Sequence, residues 1–232
     1  MLRQPDQRIW PPGSFLARLP GAAREELLRI GTVVTYPPAH VLIREGDTGD
    51  TVHLLIDALV KVTAFVENGS RTLLAIRANG DIVGEMAALD GSPRSATVTT
   101  CRQSVTCVVR GPVFTAHLDR HPATARVLSR VTIDRLRFAN RRRLDFAGYE
   151  ADVCLARILV ELADRYGERC GNGMRIGVPI TQAELGELIG IRERTVQKAM
   201  HDLCLRGLVL RGHRRVVLTD LDALTAFADL KS

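Results

Sequence analysis

The sequence predicts an α+β chain whose first half is mostly β and whose second half is mostly helical. Three observations carry this prediction. Between residues 32 and 111, short runs rich in β-branched residues alternate with turn clusters of Gly, Asp and Pro. From about residue 112 to 146, apolar residues recur every three or four positions, as on one face of a helix. Beyond residue 151, two helical patterns separated by a glycine precede a hairpin pattern.

The chain begins with a predicted helical lead-in over residues 1 to about 30. Leu27, Leu28 and Ile30 fall at roughly helical spacing, and Gly31 supplies a stop. We therefore expect helix before the β-rich region.

The β-rich region contains seven strand-like runs, which read TVVTY, HVLI, TVHLLI, LVKVTAFV, TLLAIR, SATVTT and SVTCVV. The clusters REGDTGD, ENGS, ANGD and LDGSPR lie between them and are typical of turns. Many short strands at intervals of roughly 8 to 12 residues indicate a sandwich or a jelly-roll barrel.

The long helical segment carries an imperfect apolar stripe that suits the seam of a paired helix. A single chain would have to bury this seam elsewhere, so the sequence favours a homodimer. The run Arg141–Arg143 is expected to be a solvated face, and a hinge is expected between Phe146 and Ala151. The predicted seam residues are Ile133, Leu136, Asn140, Leu144 and Ala147.

Composition and charge restrict the class of protein. The formal net charge of +6 favours a polyanionic partner, because phosphates attract arginine-rich surfaces. No apolar run approaches the roughly 18 to 20 residues that cross a bilayer, and the N-terminal residues lack an apolar signal segment. We therefore expect a cytoplasmic protein without a membrane partner. The five cysteines form no CxxC pair and are expected to be small buried residues or idle thiols.

The stretch from Gly80 to Val98 has residues suited to an anionic nucleotide. Gly84 lets the backbone approach a ligand closely, and the residues after it can form a helical turn with free N–H groups. Arg94 offers a fork of donors matched to a phosphate, and Ser95 adds a hydroxyl. Glu85 can accept from a sugar hydroxyl. These residues predict a nucleotide pocket in the mouth of the barrel.

This stretch resembles the phosphate-binding cassette of cyclic-nucleotide-binding domains, which reads GE-x-A, six variable residues and RxA. The resemblance implies a jelly roll. It also implies that Glu85 holds the ribose 2′-hydroxyl, that Arg94 and Ser95 hold the cyclic phosphate, and that the backbone from Gly84 to Ala87 completes the cradle.

The expected contact with the base departs from the family pattern. In the catabolite activator branch, a Thr-Ser or Thr-Asn pair on the dimer helix contacts adenine, and the aligned pair here is Ala139-Asn140. Asn140 can still donate and accept, but Ala139 lacks the hydroxyl. We expect cyclic AMP, with cyclic GMP, a cyclic dinucleotide, another nucleotide, or no ligand in a degenerate pocket as alternatives. The candidate ligand-binding residues are Gly84, Glu85, Met86, Ala87, Arg94, Ser95 and Asn140.

The stretch from Ile180 to Met200 has the order of a helix-turn-helix. Thr181 with Glu184 forms an S/T-x-x-E capping box that starts the first helix. Gly186 permits a close crossing of the second helix, and Gly190 provides the turn. Side chains at the start of the second helix project towards the major groove, where Arg pairs with guanine, Gln with adenine and Glu with cytosine.

Residues 208–218 predict a hairpin with a basic tip, a wing that would lie along the DNA backbone. The whole segment resembles the winged helix-turn-helix of the catabolite activator and fumarate–nitrate regulator superfamily, ITxxEIGxxxGxSRETVxR. Arg192 replaces the usual capping Ser, and Glu193-Arg194 reverses the usual Arg-Glu order, so the familiar TGTGA-type half-site cannot be assumed. The candidate DNA-binding residues are Thr181, Gln182, Arg192, Glu193, Arg194, Thr195, Gln197, Lys198, His213 and Arg214.

The two resemblances together span nearly the whole chain and imply a transcription regulator of the same superfamily rather than an enzyme. The domains we predict are a jelly-roll sensor over residues 1–115, a dimerisation helix and hinge over 116–148, and the winged helix-turn-helix over 149–232. The implied partners are a palindromic site in double-stranded DNA, a second copy of the chain and RNA polymerase.

The sequence disfavours other classes of protein. An enzyme or channel regulator could borrow the sensor domain, but residues 112–232 contain no GxSxG, no HExxH and no membrane span. An iron–sulfur cluster is not expected because the first cysteine is Cys101. Haem lacks assignable ligands, since His40 and His53 are lone histidines that we expect to be structural or exposed. Zinc would need grouped Cys and His residues, so no metal and no cofactor are predicted.

Overall fold

A computed structural model provides the structure, and it describes residues 10–67, 69–171, 173–212 and 214–230. The chain forms two compact units that divide between Arg135 and Leu136. Among the helices of the described residues, none has the length and apolar character needed to span a membrane.

The first unit contains two four-stranded antiparallel sheets of order β1-β8-β3-β6 and β2-β7-β4-β5, with helices before and after them. This is the predicted jelly roll. In chain order the elements are α1 (Phe15–Arg18), α2 (Gly21–Arg29), β1 (Thr32–Tyr36), β2 (Val41–Ile43), β3 (Val52–Asp57), β4 (Leu59–Phe65), β5 (Arg71–Ala78), β6 (Ile82–Val83), α3 (Glu85–Asp90), β7 (Thr97–Thr100), β8 (Ser104–Val109), α4 (Gly111–Arg120) and α5 (Pro122–Gly148), of which α5 continues into the second unit.

Strand β3 is buried on both of its faces. Val52 and Leu54 belong to a core cluster that includes Phe15 of α1 and Phe114 of α4. Leu55 points the other way and belongs to a second cluster between the strands. Because successive side chains of a strand alternate in direction, β3 separates a helix-facing core from the interior of the jelly roll.

The helical lead-in is interrupted. The structure has a four-residue α1 and then α2, with Pro20 at the start of α2, and residues 1–9 of the predicted lead-in lie outside the described residues. Gly31 follows α2, and a Cβ at this position would lie 2.3 Å from Cys107 Sγ. The glycine is therefore needed for close packing against β8, and α2 has already ended at Arg29 with Ile30 as its cap.

The segment predicted as one helix from residue 112 to 146 is two helices. The backbone leaves the helical region at His121, with φ −125° and ψ 76°, before Pro122 begins α5. Proline disfavours helical geometry in the residue before it and cannot donate a backbone hydrogen bond. The break therefore follows from a single residue.

The predicted seam of α5 is exposed to solvent in the single chain. Ile133 is 47% exposed, Leu136 60% and Leu144 71%. Asn140 and Ala147 are exposed as well. Large aliphatic side chains at helical spacing on one exposed face are the pattern of a helix that packs against another helix.

The second unit contains a helical core and one four-stranded sheet of order β11-β12-β10-β9. Leu155 and Leu159 of its first helix, together with Met200 and Leu203, are buried in that core. The elements are α6 (Ala151–Tyr166), β9 (Gly167–Cys170), β10 (Gly173–Ile176), α7 (Gln182–Ile189), α8 (Glu193–Leu205), β11 (Val209–Gly212), β12 (Arg215–Leu218) and α9 (Leu221–Leu230).

The sequence predicted the β11–β12 hairpin but missed β9 and β10. The two missed strands read GERC and GMRI, and Ile176 is their single buried residue. Such short polar runs show no alternation of apolar and polar residues, which is the signal for a strand. They are held instead by pairing of β10 with β12, where Met174 lies opposite Leu218.

Candidate functional site

The first candidate site is built around Gly84, where β6 ends and α3 begins. Gly84 adopts φ +85° in the left-handed region. A Cβ at this position would lie 2.6 Å from the Thr51 carbonyl oxygen and 2.9 Å from Arg94 Nη1. Glycine is therefore required both by the backbone conformation and by the closeness of its neighbours.

Arg94 is buried beside this turn, with 5% of its surface exposed. Its Nη1 donates to the Gly84 carbonyl at 2.8 Å, and its Nη2 donates to the Thr51 carbonyl at 2.7 Å and the Thr51 hydroxyl at 3.3 Å. Among the described residues, no carboxylate lies within ion-pair distance of the guanidinium. The site thus contains a buried cation whose direct partners are neutral oxygens.

The charge on Arg94 is costly to bury. Burial lowers the pKa of Arg94, while the more distant carboxylates of Asp50, Glu85 and Asp47 act in the opposite direction. A guanidinium stays protonated in proteins, so the charge remains and its desolvation must be compensated. A bound anion would supply that compensation directly.

Glu85 pairs with a cation that the sequence analysis missed. Arg135 of α5 donates through Nη1 to Glu85 Oε1 at 2.8 Å and through Nη2 to the Ile82 carbonyl at 2.7 Å. Asp81 Oδ1 lies 3.8 Å from Arg135 Nη2. The spacing within the cassette gave no signal for Arg135, because the residue lies on a different element 50 positions after Glu85.

The remaining ligand-binding candidates are placed as follows. Met86 is 54% exposed, and Ala87 is buried. Ser95 is exposed, and its Oγ lies 4.0 Å from Met86 Sδ. The structure therefore brings six of the seven candidates together around one turn. Asn140, the seventh, is exposed on α5 in the second unit.

His53 adds a neutral group to the surroundings of Arg94. It is buried on β3, and its Nδ1 lies 3.2 Å from Thr106 Oγ1. Burial, and then the charge of Arg94, lower the pKa of His53 to about 4. His53 is therefore a structural, uncharged histidine at neutral pH, whereas His40 is exposed and stacks on Tyr36.

The cysteines of the described residues form no disulfide. Cys107 and Cys154 are buried, and the other three are partly exposed. Burial raises the pKa of Cys107 to about 11, so this thiol remains protonated.

The second candidate site is the helix-turn-helix of α7 and α8. The predicted capping box is present, since Thr181 Oγ1 accepts from the Glu184 backbone N–H at 3.1 Å and the Thr181 N–H donates to Glu184 Oε2 at 2.9 Å. Gly190 ends α7 with φ +77°. A Cβ on Gly186 would lie 2.5 Å from the Ile191 carbonyl oxygen. Both glycines are therefore needed for the tight turn.

Helix α8 has one buried face and one exposed face. Val196, Ala199, Met200 and Leu203 are buried. Arg192 precedes the helix, and its side chain makes no capping hydrogen bond. The exposed face carries six of the DNA-binding candidates, Arg192, Glu193, Arg194, Thr195, Gln197 and Lys198.

The remaining DNA-binding candidates flank this face in sequence. Thr181 and Gln182 are half-buried at the start of α7. Arg214 is exposed between β11 and β12 and adopts φ +53°, an uncommon conformation for a residue with a side chain. His213 lies outside the described residues. The hairpin therefore presents a basic tip.

A jelly roll with a nucleotide-type cassette, followed by a long helix and a winged helix-turn-helix, defines a sensor-linked DNA-binding regulator. Residues 33–121 match the cyclic nucleotide-binding domain family, and residues 155–227 match the Crp-like helix-turn-helix domain family. The chain is 28% identical to the CRP-like cAMP-activated global transcriptional regulator of Mycobacterium tuberculosis, over 82% of this chain and 85% of the relative.

Two solved structures share the fold. The c-di-GMP responsive global regulator CLP of Xanthomonas campestris matches with a TM-score of 0.72 at 20% identity, covering 87% of this chain and 100% of that one. A CRP family transcriptional regulator of Thermus thermophilus matches with a TM-score of 0.70 at 24% identity, covering 84% of this chain and 96% of that one.

The chain therefore belongs to the CRP/FNR superfamily, the catabolite activator and fumarate–nitrate regulator superfamily of transcription regulators. It is a DNA-binding regulator with a cyclic nucleotide-binding domain, and it is not an enzyme.

The buried, neutral His53 predicts a pH dependence of stability. An unfolded histidine takes up a proton below a pKa of about 6.5, whereas folded His53 resists protonation down to about 4. The unfolded state therefore binds more protons in this interval, and stability falls with falling pH. Between pH 7 and 5, the free energy of unfolding of the wild type should fall by about 2 kcal/mol more than that of His53→Gln.

Denaturant titrations across this pH range measure the difference. His40→Gln, which changes an exposed histidine of the same unit, is the matched control. Its free energy of unfolding should change with pH as that of the wild type does. If the free energy of unfolding changed equally with pH in the wild type and in His53→Gln, the lowered pKa of His53 would be contradicted.

Proposed function

We propose that this chain is a dimeric regulator whose DNA binding is controlled by a cyclic nucleotide at Arg94, with cyclic AMP as the first candidate. The observation that carries the proposal is the buried guanidinium of Arg94, which has no carboxylate in ion-pair contact among the described residues. A cyclic phosphate is a monoanion with oxygens in the geometry that a guanidinium fork recognises.

The sugar of the nucleotide is assigned to Glu85. Arg135 occupies one side of this carboxylate through Oε1. A carboxylate has about four acceptor positions on its two oxygens, so Glu85 keeps capacity for a ribose hydroxyl while it is paired. The pair also fixes the orientation of the carboxylate before the ligand arrives.

The identity of the base is the finer part of the proposal. The regulator from Mycobacterium tuberculosis is described as cAMP-activated, and the one from Xanthomonas campestris as c-di-GMP responsive. Asn140 on α5 offers a donor and an acceptor to a base, and Ala139 offers neither. Cyclic GMP, a cyclic dinucleotide and a ligand-independent regulator with a degenerate pocket are the alternatives.

The proposed dimer is formed through the exposed seam of α5, which is defined by Ile133, Leu136, Asn140, Leu144 and Ala147. Two copies of one helix bury such a seam symmetrically, and each copy then supplies one winged helix-turn-helix to a palindromic site. Arg135 lies on the same helix as the seam and contacts Glu85, so a ligand at Glu85 bears directly on α5. Ligand binding would then favour the DNA-binding arrangement of the dimer.

The proposed DNA contacts divide into two kinds. The exposed face of α8 would enter the major groove and read base edges, while Arg214 of the wing would contact phosphates. RNA polymerase is the proposed further partner, through which DNA binding would lead to activation or repression.

The effector site is tested with Arg94→Gln. Cyclic AMP at a hundred times its dissociation constant should stabilise the wild type by about 2.7 kcal/mol, and Arg94→Gln should lose most of this stabilisation because the phosphate loses its cation. A thermal-shift panel of cyclic AMP, cyclic GMP and cyclic di-GMP measures the effect.

Arg102→Gln is the matched control, since Arg102 is an exposed arginine of the same unit. It should respond as the wild type does. A panel with no shift for any nucleotide would favour the ligand-independent alternative, and an equal shift in Arg94→Gln would exclude Arg94 as the phosphate ligand.

DNA reading is tested by comparing two arginines. Arg194→Ala should relax base preference at one position by about 1 to 3 kcal/mol, because a bidentate contact to a base edge is lost. Arg214→Gln should weaken binding to all DNA sequences alike. It should also reduce the slope of log binding constant against log salt concentration by about 1 in magnitude, because one phosphate contact is lost. Selected-site sequencing and salt titrations measure these effects. If Arg194→Ala selected the wild-type motif, its reading role would be wrong.

The dimer seam is tested with Leu136→Glu, which should convert the dimer to a monomer because it places a charge in an apolar interface. Leu205→Glu is the control, since Leu205 is 74% exposed on α8 and lies outside the seam. Analytical ultracentrifugation measures the mass of both variants. Dimers of equal strength in both would rule out the seam.

A further inference from the structure

Two histidines and one glutamate converge in the first unit. Glu26 lies on α2, His117 lies on α4, and His121 follows the last residue of α4. Each offers one ligand atom, and the three atoms lie within 4.8 Å of one another. The histidines are four residues apart, so they share one face of the helix, and their rings stack with centroids 4.4 Å apart.

His117 is the unexplained member of this cluster. Its side chain is fully buried, and among the described residues neither ring nitrogen has a hydrogen-bond partner. Glu26 Oε1 lies 3.8 Å from His117 Nδ1, which is too long for a hydrogen bond. Buried polar atoms are satisfied in most proteins, so an imidazole with two unsatisfied nitrogens points to a ligand.

Glu26 is already oriented towards both rings. Its Oε2 lies 2.7 Å from His121 Nε2, and its Oε1 lies 3.2 Å from Nη1 of Arg120. The side chain of Arg120 is 60% exposed, so its ion pair with Glu26 is open to solvent. Burial lowers the pKa of His117, with the charge of His121 acting in the same direction and Glu26 opposing it. An imidazole binds a metal ion through a ring nitrogen that carries no proton.

We propose that Glu26, His117 and His121 bind a divalent first-row transition-metal ion such as Zn²⁺. Two imidazole nitrogens and one carboxylate oxygen are donors that Zn²⁺ accepts, whereas Mg²⁺ and Ca²⁺ prefer oxygen alone. The fourth position is open to water, because the side chains of Glu26 and His121 are 21% and 28% exposed. The ion would give His117 its missing partner.

The metal site would join α2 to the start of the long helix. His121 immediately precedes Pro122, the first residue of α5. An ion that holds Glu26 and His121 together therefore fixes the point from which α5 departs.

Isothermal titration of the untagged full-length protein with Zn²⁺ tests the proposal. The wild type should bind one ion per chain at this site. Glu26→Gln and His121→Gln should each weaken the affinity at least about tenfold, since each removes a ligand. His40→Gln removes an exposed histidine of the same unit and should leave the affinity unchanged. Circular dichroism checks the fold, and Glu26→Gln decides the outcome if the histidine variant fails to fold.

Cobalt substitution identifies the donor atoms. A tetrahedral Co²⁺ spectrum without a thiolate charge-transfer band is the expected result. A thiolate band would place the ion on a cysteine and overturn the proposal. Absence of Zn²⁺ binding, or equal affinity in the wild type and Glu26→Gln, would overturn it as well.

Discussion

The buried guanidinium of Arg94 is the constraint around which the first unit is organised. Its two hydrogen bonds to carbonyls hold the residue before β3 against the turn before α3. This closeness is possible because Gly84 has no side chain, since any Cβ there would collide with Thr51 and with Arg94 itself. The guanidinium of Arg94 and the left-handed turn at Gly84 therefore depend on each other. Arg94 can approach the turn only because residue 84 has no side chain.

The consequence of this arrangement extends to the long helix. Glu85 directly follows Gly84, so the turn that admits Arg94 also fixes where the carboxylate points. Arg135 forms an ion pair with that carboxylate and donates a hydrogen bond to the Ile82 carbonyl. Helix α5 is therefore attached to both sides of the same turn. Any group that competes for Glu85 or adds to its contacts would therefore act on α5. Within the first unit, α5 is held as well by the Arg18–Asp134 ion pair and by Val127, Leu128 and Val131 in the core.

Local patterns in the sequence predicted most of the fold, and long-range contacts account for what they missed. The strands with β-branched residues and the capping box of Thr181 have signals within a few residues, and the structure contains both. Strands β9 and β10 lack such a signal, and they form because β10 pairs with β12 and β9 pairs with β10. Arg135 and the cluster of Glu26, His117 and His121 depend on residues brought together from distant elements. The expectation that the chain has no grouped metal ligands did not take into account His117 and His121, which lie one helical turn apart.

In the winged helix-turn-helix, the residues that determine the fold are different from those proposed to contact DNA bases. Gly186, Gly190 and the buried face of α8 set the angle of the two helices, and they fit the family pattern. The exposed positions at the start of α8 depart from that pattern. Neighbouring residues on a helix point about 100° apart, so reversing the usual order in Glu193-Arg194 moves the positive charge to a different side of the helix axis. Glu193 also gains from its place in the first turn, where the helix dipole favours an acid. The same scaffold therefore presents its charges in a different order, and the target site of the catabolite activator branch cannot be carried over to this chain.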